Sequence, residues 1–245
     1  MKVIILAGGF GTRLSEYTNT VPKPMVKIGG IPILIHIMGL YLKYAYKDFY
    51  IALGYKSEVV KKHFKNFVKF NQKFKYNFKN INCTITLVYT GDKTLTGGRL
   101  KRLKKFINKN ENFMFTYGDG ISNVNLNSLE KFHKNNNKLI TVTAVRPPAR
   151  FGEIIIKNDK VISFKEKPQV NEGWINGGFF IAKYEFFNLI KGDFTILEKS
   201  PLETASAKKQ LYAYKHSGFW KCIDTKRDKD VLELIYKKNK FKWKK

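Results

Sequence analysis

The chain has 245 residues, 43% of them hydrophobic and 15% aromatic, which excludes a disordered chain and supplies a core that needs no disulfide or metal staple. Its two cysteines, Cys83 and Cys222, stand far apart and outside any Cys-x-x-Cys pair, which argues against a disulfide scaffold or zinc ribbon and predicts a reducing, cytoplasmic setting. The formal charge is +27, but it rests on 40 dispersed lysines against 6 arginines, without the aromatic-plus-arginine signature of RNA-binding modules; a solvated basic surface suited to phosphorylated substrates is the reading, with no specific nucleic acid.

In chain order, Lys2 to Ala7 reads as a buried strand followed by a glycine loop, Gly8 to Gly11. Pro32 to Tyr46 reads as a helix with proline in its first turn, Asp48 to Leu53 as a buried strand and Ser57 to Phe70 as a helix. Thr84 to Tyr89 is a third strand, Gly98 to Ile107 a basic amphipathic helix, and Asn112 to Tyr117 a fourth strand running into Gly118-Asp119-Gly120. After a helix at Leu126 to Asn136, short strands cluster at 139–146, 153–157, 161–164 and 175–183, and helices follow near 195–209 and 226–238. The longest apolar stretch, Ile31 to Leu42, is broken by His36 and is too short for a membrane span, and the N-terminus has no signal-peptide pattern, so a soluble protein with no membrane partner is expected. Alternating strands and helices predict an α/β fold with a doubly wound, Rossmann-like, mostly parallel sheet and a small C-terminal antiparallel elaboration. One domain is expected, with residues 1–140 as its first part and 141–245 as its second.

The strongest local feature is Leu6-Ala-Gly-Gly-Phe-Gly-Thr-Arg-Leu14. Its glycines let backbone amides approach a phosphate, and Arg13 offers a forked cationic donor. It is not a P-loop, since no Gly-Lys-[Ser/Thr] closes it, and not the dinucleotide fingerprint, since Leu14 stands where a third glycine is needed. Pro22-Lys23-Pro24 follows, where two prolines hold the backbone on either side of one lysine. Taken alone, Arg13 reads equally as a surface ion pair and Lys23 as a loop lysine.

This N-terminal stretch resembles the sugar-1-phosphate nucleotidyltransferases, which share a Gly-Gly-x-Gly-Thr-Arg-Leu loop followed by a Lys-Pro pair. Further along, Thr90-Gly-Asp-Lys-Thr-Leu-Thr-Gly-Gly-Arg99, Phe115-Thr-Tyr-Gly-Asp-Gly120, Pro147-Pro-Ala-Arg-Phe-Gly152, Trp174-Ile-Asn-Gly-Gly-Phe-Phe180 and Gly218-Phe-Trp-Lys-Cys-Ile-Asp-Thr-Lys-Arg-Asp228 are similar to the branch that makes CDP-glucose. The resemblance implies a nucleotide-diphospho-sugar transferase fold. It also implies attack by glucose 1-phosphate on the α-phosphorus of CTP with Mg²⁺, and a homo-oligomer whose product feeds surface-polysaccharide synthesis. The attacking oxygen is already an anion, so catalysis is positioning and charge stabilisation. The absence of triad or ligand spacing among His36, His63, His133 and His216 agrees with that.

The resemblance assigns Arg13 and Lys23 to the phosphates as catalytic groups. It assigns Leu6, Ala7, Gly8, Gly9, Gly11, Thr12, Thr94, Arg99 and Asp119 to the nucleotide with them. Asp119 and Asp224 are the implied metal ligands. Glu166, Lys167, Asn176, Gly177 and Trp220 are assigned to the sugar phosphate. By their own local chemistry, Asp119 also reads as a Gly-Asp-Gly turn, Asp224 as a helix N-cap, Arg99 as a turn cap and Trp220 as a core aromatic. The Lys/Asn/Phe-rich segment Phe67 to Asn82 is shorter than the family leads one to expect.

Overall fold

A computed structural model describes residues 1–64, 69–146, 153–165 and 173–238. In chain order the strands are β1 (Lys2–Leu6), β2 (Lys27–Ile28), β3 (Ile31–Pro32), β4 (Asp48–Leu53), β5 (Lys73–Phe78), β6 (Ile81–Tyr89), β7 (Asn112–Tyr117), β8 (Gly120–Ser122), β9 (Ile140–Val145), β10 (Glu153–Lys157), β11 (Lys160–Lys165), β12 (Ile175–Lys183), β13 (Leu211–His216) and β14 (Trp220–Cys222). The α-helices are α1 (Ser15–Thr18), α2 (Ile33–Lys43), α3 (Ser57–Phe64), α4 (Thr96–Arg102), α5 (Leu126–Asn136), α6 (Ser200–Ala207) and α7 (Lys226–Lys237).

Eight strands form the central sheet in the order β13-β9-β12-β7-β1-β4-β6-β5. Strand β1 pairs in parallel with both β4 and β7, β4 with β6 and β9 with β13, while β12 and β5 run antiparallel to their neighbours. The central strands are apolar on both faces, as strands covered by helices on both sides must be. Val3 and Ile5 enter one core with residues of α2, α5 and α7, whereas Ile4 and Leu6 enter a second core with Leu100 of α4 and Ala205 of α6.

Chain reversal at the carboxyl ends of β1, β4, β6 and β7 leaves loops at one sheet edge, where open α/β sheets bind ligands. The antiparallel elements expected late in the chain are divided: β12 lies inside the central sheet between β7 and β9, while the β10–β11 hairpin stands apart, and β14 forms a further separate antiparallel pair with β8. Both outermost strands, β5 and β13, fall where no strand is expected from sequence. Their sequences, KFKYNF and LYAYKH, mix lysine or histidine with aromatic residues, as suits edge positions that meet water on one side. The expected basic amphipathic helix at 98–107 is instead α4 followed by a helical turn at Lys104–Phe106, and Gly97 through Leu100 are buried because a neighbouring loop covers them.

Candidate active site

The three loop glycines do different work. A Cβ on Gly8 would lie 2.2 Å from the Arg99 guanidinium and 2.7 Å from the Gly54 nitrogen, so only glycine fits there. Gly11 has φ +67° and starts the helical turn Thr12–Leu14. Gly9 has open space around its α-carbon, and among the described residues the amides of Gly9, Phe10 and Gly11 have no hydrogen-bond acceptor. A loop of unspent N–H groups at a strand end suits a bound anion. The loop is latched from both sides by Ala7 N donating to Ala52 O at 2.8 Å and Tyr55 N donating to Gly8 O at 3.2 Å.

Together with the segment after β6 and the end of β7, this loop lines a cleft of about 450 Å³. Leu6, Ala7, Gly8, Gly9, Gly11, Thr12, Lys23, Thr94, Arg99 and Asp119 all face it. The backbone of Arg13 lies in the turn at the cleft, and its side chain is outside the described part of the structure.

Arg99 is only 4% exposed and its fork is largely spent on main chain. Nη1 donates to Thr90 Oγ1 at 2.9 Å, Gly91 O at 2.7 Å and Leu53 O at 3.3 Å, and Nη2 donates to Asp92 O at 3.0 Å. Burial pushes its pKa below the ordinary value, partly offset by Asp92. The guanidinium therefore fastens the ends of β4 and β6 together under the glycine loop. Gly97 and Gly98 admit the loop at 193–195, where a Cβ would come within 2.8 Å of Thr195 O and 2.3 Å of Asp193 O respectively. Arg102 grips the same loop through a two-pronged pair with Asp193, Nε to Oδ1 at 2.8 Å and Nη2 to Oδ2 at 2.6 Å.

The cleft floor is built from three distant segments. Lys23 sits in a one-turn helix at Lys23–Met25, entered through Pro22. Its Nζ donates to Asp119 Oδ2 and to Asp224 Oδ1, both at 2.6 Å. Burial opposes the charge on Lys23, but the two carboxylates outweigh it and raise its pKa above the ordinary value. Asp119 follows β7, and Gly118 before it has no room for a side chain against Leu6 O and Pro24. Asp224 reaches the same point because β14 pairs antiparallel with β8, with Cys222 opposite Gly120, and Ile223 N then donates to Asp119 O at 3.1 Å. Asp224 is not the N-cap of α7. Thr225 holds that position, in a reciprocal capping box with Asp228.

On the other side of β7, Asn176 Nδ2 donates to the Tyr117 hydroxyl at 3.2 Å, and its Oδ1 accepts from Gly178 N at 2.9 Å. Trp220 packs against the first core, and its indole N–H donates to Gly177 O at 2.7 Å, tying β14 to β12. Glu166 and Lys167 lie outside the described residues. Three of the four histidines stay in the scaffold: His36 bonds Ile28 O, His133 bonds Thr141, and His216 faces Ser122, while His63 lies exposed on α3 against Phe64. Sequence reasoning passed over Tyr117 and Thr96. The first was detectable as the last residue of an apolar strand before Gly-Asp-Gly, and the second lies inside a quoted motif.

Asp119 and Asp224 are the acidic pair that would hold a divalent cation. Among the described residues there is no cluster of three or more His, Cys, Asp or Glu side chains arranged for a metal. Both carboxylates meet at the Lys23 ammonium, so the pair already gathers positive charge at one point, and two carboxylates suit Mg²⁺, which takes its remaining ligands from phosphate oxygens and water.

The family model described as nucleotidyl transferase matches residues 2–227. The chain is 45% identical over 254 residues to a glucose-1-phosphate cytidylyltransferase of Salmonella typhimurium, covering 100% of this chain and 99% of that protein. It is 36% identical to a probable glucose-1-phosphate cytidylyltransferase of Bacillus subtilis, with the same coverage of both chains. Among solved structures, HddC from Yersinia pseudotuberculosis, crystallised with GMP-PN, superposes with a TM-score of 0.72 over 96% of this chain and 99% of its own at 22% identity, a likeness of fold.

Proposed function

The chain belongs to the nucleotidyl transferase family, and from that premise we propose that it transfers a cytidylyl group from CTP to α-D-glucose 1-phosphate, forming CDP-glucose and pyrophosphate. One observation carries the choice of substrates: the 45% identity to a glucose-1-phosphate cytidylyltransferase extends over the whole chain, cleft included.

In this reading a phosphate oxygen of the sugar phosphate attacks the α-phosphorus of CTP. The new P–O bond forms as the bond to the bridging oxygen of the β-phosphate breaks, and pyrophosphate leaves with that electron pair. No proton has to be removed, which agrees with His36, His133 and His216 bonding within the scaffold. The open amides of the glycine loop receive the triphosphate, and the Arg99 clamp keeps that loop and the Thr94 segment in register. Lys23 presents a fixed positive charge at the floor. Magnesium, held by Asp119 and Asp224, would neutralise the charge of the triphosphate.

We assign residues 1–140 to the nucleotide and 141–245 to the sugar phosphate, with Asn176, Gly177 and Trp220 on that side, Glu166 and Lys167 joining them, and Arg13 on the phosphates. Self-association belongs to the same reading. It is supported by the β10–β11 hairpin, which leaves Ile154, Ile156, Val161, Ile162 and Phe164 exposed. A cytoplasmic location for the synthesis of surface polysaccharide is consistent with the absence, among the described residues, of a helix long and apolar enough to cross a membrane.

Pyrophosphate release with Mg²⁺ and glucose 1-phosphate, run in parallel with CTP, dTTP, UTP, ATP and GTP, tests the proposal. Release with CTP alone is expected. Release with a different nucleotide overturns the substrate while keeping the family chemistry.

A further inference from the structure

Lys23 stands on the spot that the two metal-binding carboxylates share. Its Nζ lies 2.6 Å from Asp119 Oδ2 and 2.6 Å from Asp224 Oδ1, so one ammonium bridges an oxygen of each side chain. Every member of the bridge is held from outside it. Lys23 is only 9% exposed and has a proline on either side, and its turn is closed by Met25 N donating to Pro22 O at 2.8 Å and Val26 N donating to Lys23 O at 3.1 Å. The Asp224 N–H donates to Asp228 Oδ2 at 3.2 Å, and the Asp119 carbonyl accepts from Ile223 N at 3.1 Å.

The two carboxylates are largely out of water, with side chains 28% and 17% exposed, and they repel each other unless a cation stands between them. A lysine cancels one of the two negative charges. A divalent cation cancels both and fills its coordination with phosphate oxygens and water. Both cations ask for the same pair of side chains, and two positive charges at one point repel. Of the other two oxygens, Asp224 Oδ2 accepts from Cys222 Sγ at 3.7 Å.

We infer that Lys23 is a built-in competitor for the metal seat: it holds Asp119 and Asp224 together until a divalent cation takes them, and its ammonium is released toward the phosphates only then. The inference rests on the cytidylyl-transfer reading for the metal pair. Metal entry and the positive charge offered to the triphosphate become one event, and a nucleotide that arrives without metal meets an ammonium already engaged.

Binding of Mn²⁺ to substrate-free protein, read by electron paramagnetic resonance, tests this on wild type, Lys23→Met and Lys23→Gln. Lys93→Met is the control for a lysine that lines the same cleft. Lys23→Met should bind Mn²⁺ at least about tenfold more tightly than wild type, the scale of hydrogen bonds to charged groups. The gain should be smaller in Lys23→Gln, whose amide can still donate to one carboxylate, and below about twofold in Lys93→Met. Adding Asp119→Asn to Lys23→Met should remove it. Thermal melts give a second readout: without metal Lys23→Met should melt below wild type, and saturating Mg²⁺ should raise its melting temperature at least about 3 °C more than that of wild type. Lys23→Gln carries the comparison if Lys23→Met folds only with metal.

Mn²⁺ affinity unchanged on removing Lys23, an equal gain in Lys93→Met, or a thermal loss that Mg²⁺ does not repair would overturn the inference, the last because a merely structural lysine behaves that way. So would a failure of every form to bind Mn²⁺. The expected order of Mn²⁺ affinities in a protein silent in the pyrophosphate assay would overturn the substrates and leave the role of Lys23 standing. Pyrophosphate release from CTP with no such order would keep the reaction and remove the competitor.

Discussion

Two buried cations serve the cleft in opposite ways. Arg99, beneath the glycine loop, meets main-chain carbonyls and the Thr90 hydroxyl, all from residues 53 and 90–92. Lys23, on the floor, meets two carboxylates that lie 96 and 201 residues away in the chain. The first arrangement stores its charge in the backbone and makes a rigid wall. The second gathers three full charges at one point. On this comparison, damage to the wall should appear in stability and nucleotide affinity, and damage to the floor in turnover.

The largest effect is expected from the floor. Asp119→Asn should lower kcat at least about a thousandfold, the scale set by losing a preorganised charge-stabilising group, with the melting temperature little changed. Pyrophosphate release and circular dichroism check both halves, and retained activity would remove Asp119 from the metal assignment.

Next comes the wall. Gly8→Ala places a methyl against the Arg99 fork and should destabilise the protein by about 1–3 kcal/mol, the ordinary cost of overpacking. It should also weaken CTP binding more than it lowers kcat. Arg99→Lys, which keeps the charge and loses the fork, should give a similar thermal shift. A wall variant that lost turnover without losing stability would break the comparison.

The third prediction separates scaffold from site. Burial pushes His133 down to about 4 from its ordinary 6.5, with Lys183 adding to the effect. Between those values the unfolded chain binds a proton on this residue that the folded chain does not. Stability therefore falls as pH drops from about 6.5 to about 4, by up to about 3 kcal/mol. Thermal melts across that range should flatten in His133→Gln. Burial also holds His63 and His216 below their ordinary values, so some slope should remain.

The smallest effect is expected at Trp220→Phe. It keeps the ring's contact with the core and removes the bond to Gly177 O, at a cost of about 1 kcal/mol in denaturant unfolding.

Much of this was legible in the chain itself. The central strands could be read because they are apolar runs on both faces, and the glycine loop because glycine spacing and the Lys23 prolines are local signals. The edge strands β5 and β13 were not legible, because polar residues mixed with aromatic ones describe a solvated loop as well as a half-wet strand. Asp224 read locally as a helix cap as easily as a ligand, and only the adjoining Thr225–Asp228 box in the fold releases it from that task.

By itself the sequence determined which segments could be buried on two faces, where the backbone could turn through a glycine, and which cation was held between prolines. These are properties of neighbouring residues, decided by side-chain volume and allowed dihedral angles. The tertiary structure alone decided that Lys23 meets both Asp119 and Asp224, and that Arg99 faces carbonyls. Each of these meetings depends on strand register and on how a loop packs across a sheet edge. Those are set by the free energy of the whole core, to which no single stretch of sequence holds the key.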